Sequence, residues 1–109
     1  MSWPTELRRS PAHDALTITF DNGESFTLAA EYLRVESPSA EVRGHGGGPK
    51  VIVRGKQAVK ITALEPVGNY AVRIVFDDGH DSGLYSWDFL ATLGREHATL
   101  WADYLAARG

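Results

Sequence analysis

Two short stretches of this sequence read almost alike, and they constrain the fold more than anything else in it. Ile18-Thr19-Phe20-Asp21-Asn22-Gly23 and Ile74-Val75-Phe76-Asp77-Asp78-Gly79 each run an apolar segment into a polar pair closed by glycine. Leu16 to Phe20 places an apolar side chain at every second position, the period of a half-buried strand. Asp21-Asn22-Gly23 supplies a tight hairpin turn, and a second strand follows over Ser25–Leu28. Tyr70–Phe76 alternates again, with Ala71, Arg73 and Val75 on one face and Val72, Ile74 and Phe76 on the other. Gly23 and Gly79 are predicted to hold positive φ in equivalent turns.

The echo continues past the hairpins. The spacing of Tyr32, Leu33 and Val35 suits a short helix or turn over Ala29–Val35. Ser86-Trp87-Asp88-Phe89-Leu90 reads as a second short helix, with Ser86 as its cap and an acid in its first turn. Glu31-Tyr32-Leu33 and Asp88-Phe89-Leu90 correspond. Two copies are too few for a solenoid, and common hairpin grammar accounts for the likeness as well as duplication does.

Between these halves, Ser37–Lys50 is rich in Gly, Pro and Ser and reads as a loop. Its Gly44–Gly48 core buries almost no apolar side chain and is expected to move in the free protein. Val51–Val53 and Val59–Leu64 read as strands, the second pairing with Tyr70–Phe76 across Glu65–Asn69. Over Arg95–Arg108, Ala98, Trp101, Leu105 and Arg108 fall on one stripe beside Leu100 and Tyr104, an amphipathic helix that Gly94 sets apart and Gly109 ends. The fold class is therefore α+β: small antiparallel sheets built from two β-hairpins, short helices and an amphipathic C-terminal helix, in one domain of 109 residues.

Composition narrows the function. With 11 basic against 14 acidic residues and a net charge of −3, no basic stripe marks a nucleic-acid surface. The absence of cysteine excludes disulfides and thiolate chemistry. No run approaches the ~18 apolar residues of a membrane span, and Met1 to Glu6 lacks a signal peptide's apolar region, so a cytoplasmic location is expected.

Gly44-His45-Gly46-Gly47-Gly48-Pro49-Lys50 does not make a phosphate-binding loop. Pro49 stands where that motif needs glycine and removes an amide, and Val51 stands where it needs Ser or Thr. No nucleophile elbow occurs, and none of the four His residues sits beside an obvious nucleophile, so the chain is expected not to be an enzyme. His13, His45, His80 and His97 lack the spacing of a helical zinc site. Trp87 is read either as a contact residue or as core.

Tyr32-Leu33-Arg34-Val35-Glu36-Ser37-Pro38-Ser39-Ala40-Glu41-Val42-Arg43-Gly44-His45-Gly46, Glu65 to Val72 and Phe76 to Leu90 together resemble the γ-butyrobetaine hydroxylase-like N-terminal domain. They are more similar still to its short bacterial stand-alone branch, a family of unknown function, over about Pro4 to Gly94. In the hydroxylase this domain carries a structural zinc on three cysteines and a histidine. The resemblance places those positions at Ser37, Ser39, Val42 and His80, so the zinc is not expected here, and no cofactor is assigned. The iron ligands belong to the hydroxylase's separate catalytic domain. Related domains fused to ATPases of the iron–sulfur scaffold type point to an accessory role near cluster assembly.

The expectation is a protein-interaction domain with an unidentified protein partner, serving iron–sulfur assembly or an iron-dependent enzyme in trans. Its contact surface is predicted to include Arg43, His45, Lys50, His80 and Tyr85. The alternative is a carrier of metal or an iron cofactor using His45, His80 and nearby carboxylates. The C-terminal helix either closes the core or pairs two subunits as a homodimer.

Overall fold

The computed structural model describes residues 3–38 and 53–108, and within them the echo becomes a repeated architecture. Strands β1 (Pro4–Arg9), β2 (Ala15–Phe20) and β3 (Ser25–Ala29) lead into helix α1 (Ala30–Val35). Strands β4 (Ile61–Val67), β5 (Ala71–Phe76) and β6 (Leu84–Ser86) lead into α2 (Trp87–Arg95), and α3 (His97–Arg108) follows. Each trio is an antiparallel sheet with its strands in chain order.

The alternation in β2 does what its period requires. Leu16, Ile18 and Phe20 are buried, while Thr17 and Thr19 face outward. Thr17 and Thr27 bridge hydroxyls at 2.9 Å on that outer face. From the second sheet, Ile61, Val72, Ile74, Phe76 and Tyr85 enter the same hydrophobic cluster as Leu16, Ile18, Leu28, Leu33 and Leu90. One core therefore serves both sheets.

The two turns match bond for bond. Phe20 N–H donates to Glu24 O at 2.8 Å and Gly23 N–H to Phe20 O at 3.1 Å; Phe76 N–H donates to His80 O at 3.0 Å and Gly79 N–H to Phe76 O at 3.2 Å. Gly23 and Gly79 hold φ of +92° and +90°, as their positions required. Each turn also reaches the start of its sheet's first strand, Asp21 N–H meeting Trp3 O at 2.8 Å and Asp77 N–H meeting Lys60 O at 2.9 Å.

Several elements differ from the sequence reading. Strand β1 was not expected, because Leu7 is the sole aliphatic side chain in Pro4–Arg9. Strand β4 starts at Ile61 and runs through Pro66 to Val67, leaving a turn shorter than Glu65–Asn69. Proline is tolerated there because β4 lies at the sheet edge. Val53 lies outside any strand, and Val51, Ile52 and the Gly44–Gly48 stretch lie outside the described residues.

Helix α2 begins as expected, with Ser86 Oγ accepting the Phe89 amide at 3.2 Å. It does not stop at Gly94, which lies inside it; a Cβ at that position would collide with the Phe26 ring. The inward face of α3 is rotated from the expected stripe, since Ala98 and Leu105 are exposed. His97, Trp101 and Tyr104 stack in sequence at 6.2 and 5.4 Å between ring centroids, and Arg108 lies 5.7 Å from the Tyr104 ring. Tyr32 meets His97 and Trp101 edge-on, so α3 closes the core over α1.

Candidate functional site

Two places in the fold collect chemistry-bearing side chains. The first lies where α1 ends against the second hairpin turn. Helix α1 carries Arg34 in its last turn, where a cation complements the helix dipole. Arg34 Nε donates to Asp78 Oδ2 at 2.9 Å, and Lys56 Nζ reaches the same oxygen at 2.6 Å. Asp78 Oδ1 accepts the His80 amide at 3.1 Å. Burial alone would raise the Asp78 pKa, but the bonds from Lys56, the His80 amide and Arg34 outweigh it and hold the carboxyl at about 2.

Beside this network, Ser37 Oγ and His80 Nε2 lie 2.9 Å apart, with both residues buried. These are two of the four positions that the family resemblance assigns to zinc, and the fold brings them together. Ser39 and Val42, the other two, lie outside the described residues. The donor set does not fit a structural zinc. It offers one imidazole, two neutral hydroxyls and a valine, where such a site uses thiolates and imidazoles. The hydroxyl–imidazole hydrogen bond joins two positions that the metal would have joined. Among the described residues, no group of three or more His, Cys, Asp or Glu is placed to hold a metal ion.

The predicted contact surface divides in three. Arg43, His45 and Lys50 lie outside the described residues. His80 is 6% exposed, so its ring is turned inward. Tyr85 is fully buried, its hydroxyl donating to Leu33 O at 2.5 Å. This is a correction: Tyr85 is core because its strand position faces the other sheet, and neither side chain is presented to a partner.

The second place is a small cleft of about 120 Å³ lined by Trp3, Tyr70, Ser86, Trp87 and Asp88. Each ring is anchored at its base. The Trp3 backbone makes two bonds to Asp21, its N–H donating to the carboxylate at 3.2 Å and its carbonyl accepting the amide at 2.8 Å. Trp87 N–H donates to Tyr70 O at 3.2 Å, and the Trp87 indole N–H donates to Asn69 O at 2.8 Å. Trp87 is 8% exposed and forms the floor, which settles it as core on one side and cleft on the other. Trp3 and Tyr70 stand 44% and 56% exposed, an unusual display for rings of that size. Sequence reasoning missed this site because its rings come from three separate segments. The available signal was that Trp3 and Tyr70 each stand just before a strand, Trp3 beyond any apolar alternation.

The geometry can be set beside known proteins. A family model described as "Gamma-butyrobetaine hydroxylase-like, N-terminal" matches residues 7–91. Two solution structures determined by NMR share 52% and 48% identity with the chain, with TM-scores of 0.84 and 0.83. Each covers 98% of this chain, which spans 80% and 84% of theirs. A crystal structure of a protein of unknown function from Acidithiobacillus ferrooxidans is 32% identical, with a TM-score of 0.69 over 84% of this chain and 91% of its own. Among curated proteins none matches.

Proposed function

The chain belongs to the gamma-butyrobetaine hydroxylase-like, N-terminal family, and from that premise we propose that it is a non-catalytic accessory domain that binds a protein partner through the Trp3–Tyr70–Trp87 cleft. The observation that carries this reading is the pair of anchored, solvent-facing rings over a buried indole. Tyr and Trp at the centre of a contact surface supply large apolar area at small entropic cost. By contrast, the polar groups that could do chemistry are engaged inside the fold, Asp78 with Arg34 and Lys56, His80 with Ser37.

The proposed setting is the cytoplasm, beside iron–sulfur assembly or an iron-dependent enzyme supplied in trans; its support is the family resemblance alone. No helix among the described residues is long and apolar enough to cross a membrane. The metal-carrier alternative has less support, because His80 is buried against Ser37.

Affinity purification with the full chain, compared with a Trp3→Ala/Tyr70→Ala variant, tests the reading. The expected result is a captured partner that the variant loses while its thermal midpoint stays close to that of the parent. Equal capture by both chains overturns the reading. Elemental analysis of untagged protein that finds about one metal per chain, retained through dialysis against chelator, would restore the carrier.

A further inference from the structure

We propose that the aromatic cleft receives an arginine side chain of the partner protein, an inference that rests on the interaction reading above and names the chemistry it uses. Three aromatic residues line the cleft, and Asp88 is the one charged group among its lining residues. Among the described residues, a second carboxylate is tied to its walls, Asp21, which holds the Trp3 amide. Arg95, at the far end of the same helix, feels the Asp88 charge but is held by Glu24 at 2.5 Å. The cleft therefore combines ring faces with net negative charge.

The positive end of α2 opens at the same place, which could favour an anion instead. That end is already served. Ser86 Oγ accepts the Phe89 amide, and Asp88 itself sits in the first turn. An incoming anion would meet the Asp88 carboxylate, whereas a cation meets it as a partner.

Among cations, the guanidinium suits the lining best. It is flat, stacks on aromatic faces and presents a fork of N–H donors to a carboxylate at the same time. A lysine ammonium is a strongly hydrated point charge and covers less of a ring. An uncharged apolar side chain would use the rings and make no bond to the Asp88 carboxylate.

The test follows indole N–H signals in NMR spectra of the full chain. The probes are two short glycine–serine peptides, identical except that one carries arginine and the other citrulline, which keeps the shape without the charge. The chain's three tryptophans supply their own control. Trp3 and Trp87 line the cleft, while Trp101 packs under α3 against Tyr32. The arginine peptide is expected to shift Trp3 and Trp87 with millimolar-range affinity, and to leave Trp101 in place. The citrulline peptide should bind roughly tenfold more weakly. Asp88→Asn should weaken arginine binding about fivefold and remove most of its salt dependence.

Equal binding of the two peptides, or arginine binding indifferent to Asp88→Asn, overturns the cation assignment and leaves the cleft an apolar contact surface. No shift from either peptide at ~10 mM overturns it as well. Failure of the reading beneath looks different: the Trp3→Ala/Tyr70→Ala chain would still capture its partners, whichever peptide binds.

Discussion

The two halves of this molecule share a plan and differ in what they do with its most polar joint. In each, three strands run into a helix, and the hairpin turn of one half is held by an arginine from the last turn of the other half's helix. Arg95 of α2 grips Glu24 beside the first turn, and Arg34 of α1 grips Asp78 in the second. The first grip is on the surface, its side chains 51% and 33% exposed; the second is interior, at 4% and 19%. Identical turn grammar has yielded an exposed ion pair in one place and a buried junction in the other. What differs is the cover: around Asp78 the chain adds Lys56 and the buried His80, whose ring meets the buried Ser37.

Breaking each joint separately should give the largest contrast. Asp78→Ala leaves Arg34 and Lys56 without their carboxylate and frees the His80 amide, so it is expected to cost about 3 kcal/mol. Glu24→Ala should leave the denaturation midpoint close to that of the parent, since exposed pairs contribute little. Chemical denaturation of the two variants decides this, and equal losses would show that burial is not what separates the joints.

A smaller effect probes what the halves have in common. Gly23→Ala and Gly79→Ala should each cost about 1–2 kcal/mol, because both glycines sit at positive φ that an L side chain resists. Nothing lies within 4 Å of either prospective Cβ, so the two costs should be equal. Unequal losses would mean that the turns are alike in outline only.

The finest contrast is in acid. Glu24 is held at about 2, chiefly by its bond from Arg95 and then by Asn22, and Asp78 is also held at about 2. Both folded values lie below the ordinary ones of 4.5 and 3.8, so each contribution is fully present above those values and fades as pH falls toward 2. Salt should shrink the Glu24 share, being exposed, and leave the Asp78 share nearly intact. Denaturation midpoints between pH 5 and pH 2.5 at low and high salt, read in Glu24→Gln and Asp78→Asn, test this; the same salt response in both variants would refute it.

The parts of the fold legible in the sequence were those in which local chemistry and tertiary position agree. Glycine after an acidic or amide pair forced both turns, and Ser86 capped α2 as its side chain allows. Strand β1 was illegible because an edge strand half out of the core needs few apolar residues. The strand expected to stop at Leu64 runs on through Pro66, because an edge position tolerates a residue with no amide to donate. On α3, counting Ala98 and Leu105 as apolar shifted the face, because His97 packs through stacking and does not register as hydrophobic. The Ser37–His80 pair could be anticipated from the family likeness, whereas the cleft depends on residues brought together from positions 3, 70 and 87.

Two tyrosines carry a consequence for how this chain unfolds. Tyr32 of the first half donates its hydroxyl to Leu93 O in the second at 2.7 Å, and Tyr85 of the second returns a bond to Leu33 O in the first. Each half thus completes a buried carbonyl that belongs to the other, in addition to lending side chains to a common core. Melting either sheet strands polar groups in its neighbour, so the free energy of opening one half includes that of the other. The repeat in the architecture should not be a repeat in cooperativity: the two similar units are expected to unfold in a single transition.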